Sequence, residues 1–173
     1  MTTKKWRNAV IVATAGMLAL MAGTADADSA RARGAGPLQD LQLDTNQPTD
    51  GATAQVVATE SGGMTVVTLK VQALDRAAAG TTLGAHVHTG SCVEANGAAA
   101  GPHFNAGGTP SPQTEVWLDF TIEANGTAWA EATVPFVIPQ GGAGAVVIHA
   151  EPTNDETMPG AAGIRLACLT VQF

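Results

Sequence analysis

Residues 53–74 read TAQVVATESGGMTVVTLKVQAL, and this stretch decides the fold class. Val and Thr dominate two runs, Thr53 to Glu60 and Met64 to Leu74. Both residue types stiffen the backbone toward extended conformations and fit a pleated surface. Between the runs lies Ser61-Gly62-Gly63, where glycine supplies the positive φ of a tight turn. The pair is a hairpin signal. Working outward, EVWLDFTIE (115–123) and GTAWAEATVPF (126–136) flank Ala124-Asn125-Gly126. Asn-Gly between two such runs predicts a second hairpin. AGAVVIHA (143–150) and IRLACLTVQF (164–173) supply the last strands. No long helical period and no internal repeat interrupts the series. Short strands with Gly and Pro turns predict an all-β sandwich or barrel over residues 52–173.

The N-terminus belongs to something else. MTTKKWRN carries Lys4, Lys5 and Arg7, and an apolar run follows from Ala9 to Ala22 with Thr14 as its one polar residue. Ala25-Asp26-Ala27 is a small-x-small cleavage site. This is the three-part pattern of a secretory signal peptide over residues 1–27, and the run is too short for a membrane span of about 20 residues. Residues 28–51 are polar, hold Pro37 and Pro48 and read as a flexible linker. Within them LQDLQL (38–43) keeps open an added strand packed on the domain.

The whole chain has 8 basic and 15 acidic residues. Loss of Lys4, Lys5, Arg7 and Asp26 leaves 5 and 14, a net charge of -9. Such a surface excludes nucleic acid as partner and gives no reason to bind an anionic membrane once the leader is gone. The expected location is the cell envelope, the periplasm or the medium. Cys92 and Cys168 are the only cysteines, and in an exported chain an even count suggests one disulfide.

Chemistry concentrates in the histidines, of which there are four. His86 and His88 lie two apart in AHVH, so on a strand they share one face while Ala85 and Val87 take the other. The small apolar pair suits a core, and the imidazoles then lie on the outside of the barrel wall. His149 closes the strand GAVVIHA, and His103 sits in the turn-rich AGPHFN. Imidazole suits copper, zinc, iron and nickel. Four nitrogens with no thiolate or carboxylate favour copper outside the cytosol.

GAHVHTGSC (84–92), AAGPHFN (99–105), AVVIHAE (145–151) and GIRLACLTV (163–171), in that order, resemble the copper–zinc superoxide dismutase family. The resemblance covers about residues 52–173. It implies a flattened Greek-key β-barrel of about eight strands. It implies that His86, His88, His103 and His149 bind copper, with His103 in the place of the family's bridging imidazole, which also delivers a proton. It implies that Cys92 and Cys168 form the family's disulfide and that Arg165 is the arginine beside the metal, suited by its fixed charge and paired donors to a small anion. The implied reaction converts superoxide to oxygen and hydrogen peroxide.

Two segments depart from the family. AGGTPSPQTEVWLDF (106–120) contains no histidine, and its only acids are Glu115 and Asp119. The family's zinc ligands are therefore missing, and no zinc is expected. AEPTNDETMPGAAGI (150–164) is short for the family's channel loop and offers Glu151, Asp155 and Glu156 with no lysine. The pattern resembles the copper-only branch of the family. There an acid could orient a ligand imidazole in place of zinc, with Asp155 and Glu115 as candidates. Met158 in the same loop is a possible soft copper(I) contact or simple packing. Trp117 and Trp129 are expected in the core or as a cross-strand pair, with an exposed patch as the other option. The alternative function is a copper-binding or copper-storage protein on the same scaffold, for which Arg165 would have no use.

Overall fold

A computed structural model describes residues 30–43 and 46–173. The expected signal peptide, residues 1–27, lies outside the described residues.

The described chain is all-β, and every strand pairing is antiparallel. The first sheet contains β1 (Ala30–Pro37), β3 (Thr53–Ser61), β4 (Met64–Gln72) and β8 (Ala128–Val134), in the order β1-β3-β4-β8. The second contains β2 (Gln39–Asp40), β10 (Arg165–Thr170), β9 (Ala145–His149) and β6 (Ala85–His88), in the order β2-β10-β9-β6. A short ribbon joins β5 (Thr82–Leu83) to β7 (Phe120–Thr121). The strand order is that of a Greek-key sandwich, as the sequence predicts.

The hairpin that opens the sequence argument forms in full register, from Thr53 opposite Gln72 to Ser61 opposite Met64. Its alternation is visible in burial. Val56, Val67, Leu69 and Val71 are buried in the core between the sheets, while Thr53, Gln55, Lys70 and Gln72 face out. Burying each Val or Leu contributes about 1.5–3 kcal/mol relative to exposure.

Two expectations need correction. The first is the linker over residues 28–51. Ala30–Pro37 instead pairs with β3, and Gln39–Asp40 pairs with β10. The segment thus crosses from one sheet to the other. It is poor in strand-forming residues, but the free edge of β3 supplies unpaired N–H and C=O groups that a small, polar segment can satisfy. A side chain at Gly34 would put its Cβ 2.7 Å from a methyl carbon of Val171, so glycine is what lets β1 close against the end of the second sheet. The second correction is at Asn125-Gly126. The turn forms, with Glu123 N–H donating to the Thr127 carbonyl at 2.9 Å and Gly126 at φ +77°. Its two arms do not pair with each other. β7 goes to β5 and β8 goes to the open edge of β4. The turn joins two sheets rather than two strands of one sheet.

β9 is buried on both sides. Val146 and Ile148 face the main core, whereas Ala145 and Val147 pack with Leu41, Cys92, Ala100 and Cys168 in a second, smaller core. The loop after β6 covers this outer face, and the Cys92–Cys168 disulfide staples it there.

Candidate metal centre

The register of the second sheet builds the site. His86 lies opposite Val147 and His88 opposite Ala145. Both imidazoles therefore project from the outer face of the sheet, beside His149, as the two-residue period requires. They do not meet solvent there. His86 and His88 are fully buried, and His149 is nearly so. The covering loop returns His103 to the same face through an isolated bridge with His88, and a second bridge places Trp117 against His86. The sequence reading of the face was correct, and the loop supplied the burial.

One ring nitrogen from each of His86, His88, His103 and His149 lies within 4.8 Å of every other. Hydrogen bonds identify which nitrogens these are. His88 Nδ1–H donates to the Gly101 carbonyl at 3.0 Å, and His149 Nδ1–H donates to the Gly163 carbonyl at 3.3 Å. His103 Nδ1–H donates to Glu115 Oε2 at 2.9 Å. Thr153 Oγ1–H donates to Asp119 Oδ1 at 2.5 Å, so Thr153 Oγ1 is left to accept from His86 Nε2–H at 2.7 Å. Each ring then has one nitrogen free of these bonds. For His86 that is Nδ1, which is buried without any partner. The Nε2 atoms of His88 and His149 face each other at 3.3 Å with no proton between them. Four ring nitrogens converge here, and the buried, unpartnered Nδ1 of His86 alone costs about 1–3 kcal/mol. A cation resolves it.

Burial, followed by the mutual repulsion of the other imidazoles, pushes His86 down to about 2. Burial likewise lowers His88 to about 3 and His149 to about 4, against the carbonyl bonds that raise them. All three are neutral at pH 7. The consequence for the metal-free chain has a definite sign. Unfolded histidine takes up its proton near pH 6.5, whereas these native histidines do not until about 4 or below. Between those values the unfolded state binds more protons, so stability rises with pH and falls on acidification. The expected loss approaches about 1.4 kcal/mol per pH unit for each histidine. Urea midpoints of the metal-free protein at pH 7 and pH 5 measure it, and equal midpoints would contradict it.

Glu115 is nine-tenths and more buried, at 3% exposure. Its Oε2 also accepts from Trp117 Nε1 at 3.0 Å, and its Oε1 accepts from Asn105 Nδ2 at 3.1 Å. Of the two acids considered from sequence, Glu115 reaches a site imidazole, while Asp155 stands exposed on the loop at the mouth. Met158 is 66% exposed on that loop. Asp119 lies just before β7, grips both the N–H and the hydroxyl of Thr153, and so holds the mouth loop to the barrel wall. Gly160, at φ +84°, covers the other side of Glu115, and a Cβ there would stand 3.2 Å from Oε2.

Arg165 lies directly opposite His149 across a bulge between β9 and β10. Its Nη1 donates to the Gly97 carbonyl in the covering loop. With His103, His149 and most of residues 151–163 it lines a cavity of about 790 Å³ that opens the site to solvent. Glu151, Asp155 and Glu156 form the acidic side of that mouth. Sequence reasoning missed Thr153 and the carbonyl acceptors Gly97, Gly101 and Gly163. Backbone acceptors leave no signal in residue type. Trp129 is 56% exposed on β8 and Trp117 is half-buried at the site, so neither fills the barrel and they do not pair.

The family described as copper/zinc superoxide dismutase matches residues 51–171. No curated protein matches the chain. Among solved structures, a double mutant of a SOD-like protein from Bacillus subtilis is similar to it, with a TM-score of 0.58 and 19% identity over 83% of this chain and 98% of that chain. At that identity the likeness concerns the fold.

Proposed function

Since the chain belongs to the copper/zinc superoxide dismutase family, we propose that it is an exported, copper-only superoxide dismutase. The convergence of four imidazole nitrogens within 4.8 Å carries this reading. A set of neutral nitrogens in a buried site fits copper. Bound copper would supply the one-electron couple that oxidises one superoxide and reduces the next.

The chain's own groups do the rest. The Arg165 guanidinium offers a permanent positive charge and paired donors to a small anion at the mouth. Among the described residues it is the only arginine or lysine lining the cavity. His103 keeps its Nδ1 proton on Glu115, which leaves Nε2 as the position that accepts and gives up a proton during turnover. Glu115 fixes the tautomer and orientation of that ring, the service a second metal renders in the bimetallic family members. The surroundings of His103 argue against zinc. Its Nδ1 is taken by Glu115, Gly160 closes over the pair, and all four histidines of the chain are already committed. Asp119 is occupied with Thr153. The disulfide favours an oxidising compartment, consistent with cleavage of residues 1–27. Among the described residues no helix is long and apolar enough to cross a membrane.

Stopped-flow decay of superoxide with copper-loaded, zinc-free protein tests the proposal. A rate near the diffusional ceiling of about 10⁸–10⁹ M⁻¹s⁻¹ is expected. His149→Ala should abolish it, and Arg165→Ala should lower it without loss of copper. Tight copper binding with a rate no better than free copper would instead leave a copper-binding protein.

A further inference from the structure

Trp117 stands between the histidine cluster and the surface. Its ring meets that of His86 edge-on at 6.3 Å between centroids. Its Nε1–H points at Glu115 Oε2, 3.0 Å away. The chain has no tyrosine, and the other indole among the described residues, Trp129, is exposed on β8 in the opposite sheet. Trp117 is therefore the one readily oxidised ring in contact with the site among the described residues. An indole yields an electron more easily than an imidazole. Once it has done so, its N–H becomes strongly acidic, and here a carboxylate already accepts that proton.

We infer that Trp117 is the internal electron donor oxidised, in place of the histidines, when hydrogen peroxide reacts at the centre. The inference rests on the copper dismutase reading, whose product is that peroxide. One copper(I), one hydrogen peroxide, one Trp117 indole and one solvent proton give copper(II), two waters and the neutral Trp117 radical. Copper supplies one of the two electrons that break the O–O bond, and Trp117 supplies the other. The Nε1 proton leaves through Glu115 and ends in water. Reduction of copper by superoxide and a second peroxide remove a further electron from the ring. Water then adds to the ring and loses a proton, leaving a hydroxytryptophan one oxygen atom heavier. The residue spares the ligands, and its oxidation records how often the site meets its own product.

The test is peptide mapping by mass spectrometry after hydrogen peroxide, with a superoxide source to re-reduce the metal, is added to full-length protein carrying copper(I), with metal-free protein in parallel. Trp117 should gain oxygen before His86, His88, His103 or His149, and only when copper is bound. Met64 and Met158, 49% and 66% exposed, undergo direct oxidation and should react alike in both samples, which reports bulk peroxide. Freeze-quenched samples should show a radical resonance that narrows with deuterated tryptophan. In Trp117→Phe the histidines should be oxidised severalfold faster, with matching loss of copper. Bound copper with oxidised histidines and an intact Trp117 overturns the inference alone. So does equal oxidation of Trp117 in metal-free protein. Failure to bind copper overturns both this inference and the dismutase reading.

Discussion

Replacing Cys92 and Cys168 together by serine should lower the unfolding free energy by about 4 kcal/mol. The bridge spans 76 residues, and cutting it releases a loop of that size in the unfolded chain. Domains of this kind are stable by about 5–15 kcal/mol in total, so the loss is large. The native state suffers as well. Cys92, Ala100, Val147 and Cys168 are one small core, and the loop they hold carries the Gly97 carbonyl that positions Arg165 and the Gly101 carbonyl that fixes the His88 tautomer. Equilibrium urea unfolding of the metal-free double variant against the oxidised parent checks the stability. A copper titration of the same variant checks whether the site loosens with the loop. A stability change under about 1 kcal/mol would mean that the loop holds itself by packing, and the entropic account would fail here.

Glu115→Ala is expected to be nearly as costly. Three donors converge on this buried carboxylate, from His103, Trp117 and Asn105. Its removal leaves each without an acceptor, at about 1–3 kcal/mol apiece, less whatever water enters the space. A loss of about 3 kcal/mol in thermal or urea unfolding is the expected result. Glu115→Gln is the sharper probe. It keeps the shape and one acceptor oxygen, so the fold should survive, yet the amide can no longer accept from all three donors. The His103 ring loses its fixed orientation, and copper affinity should fall by about 10–100-fold, the usual range for an outer partner of a ligand histidine. Competition against a chelator of known affinity measures this. Unchanged affinity and an unchanged copper(II) spectrum in Glu115→Gln would end the idea that Glu115 stands in for a second metal.

Much of this was legible in the residues. The Val and Thr alternation of Thr53 to Leu74 encodes a two-residue period, and the hairpin follows whatever surrounds it. The same period places His86 and His88 on one face and Ala85 and Val87 on the other, which is a local geometric fact. The choice of four imidazoles with no thiolate points to a metal-binding cluster before any contact is known. Other features depend on partners far away in the chain. Residues 30–37 have no strong strand preference of their own. They become β1 because β3 has an open edge and Gly34 can approach Val171. Asn125-Gly126 turns the chain as its sequence demands, but the edges of β4 and β5 decide where the arms go.

The same division runs through the site. Glu115 and Asp155 were equal candidates in sequence, since both are acids in the two segments that depart from the family pattern. The bridge between Asn105 and Glu115 brings one of them under His103 and leaves the other in solvent. Composition and spacing by themselves determined that this chain is an all-β protein whose four histidines are the candidate metal ligands, with no second histidine set. Only the tertiary structure decided which nitrogen of each ring is free, because a tautomer is set by the hydrogen-bond partner of the opposite nitrogen. Those partners, Gly101, Glu115, Thr153 and Gly163, arrive from loops whose positions no local pattern encodes.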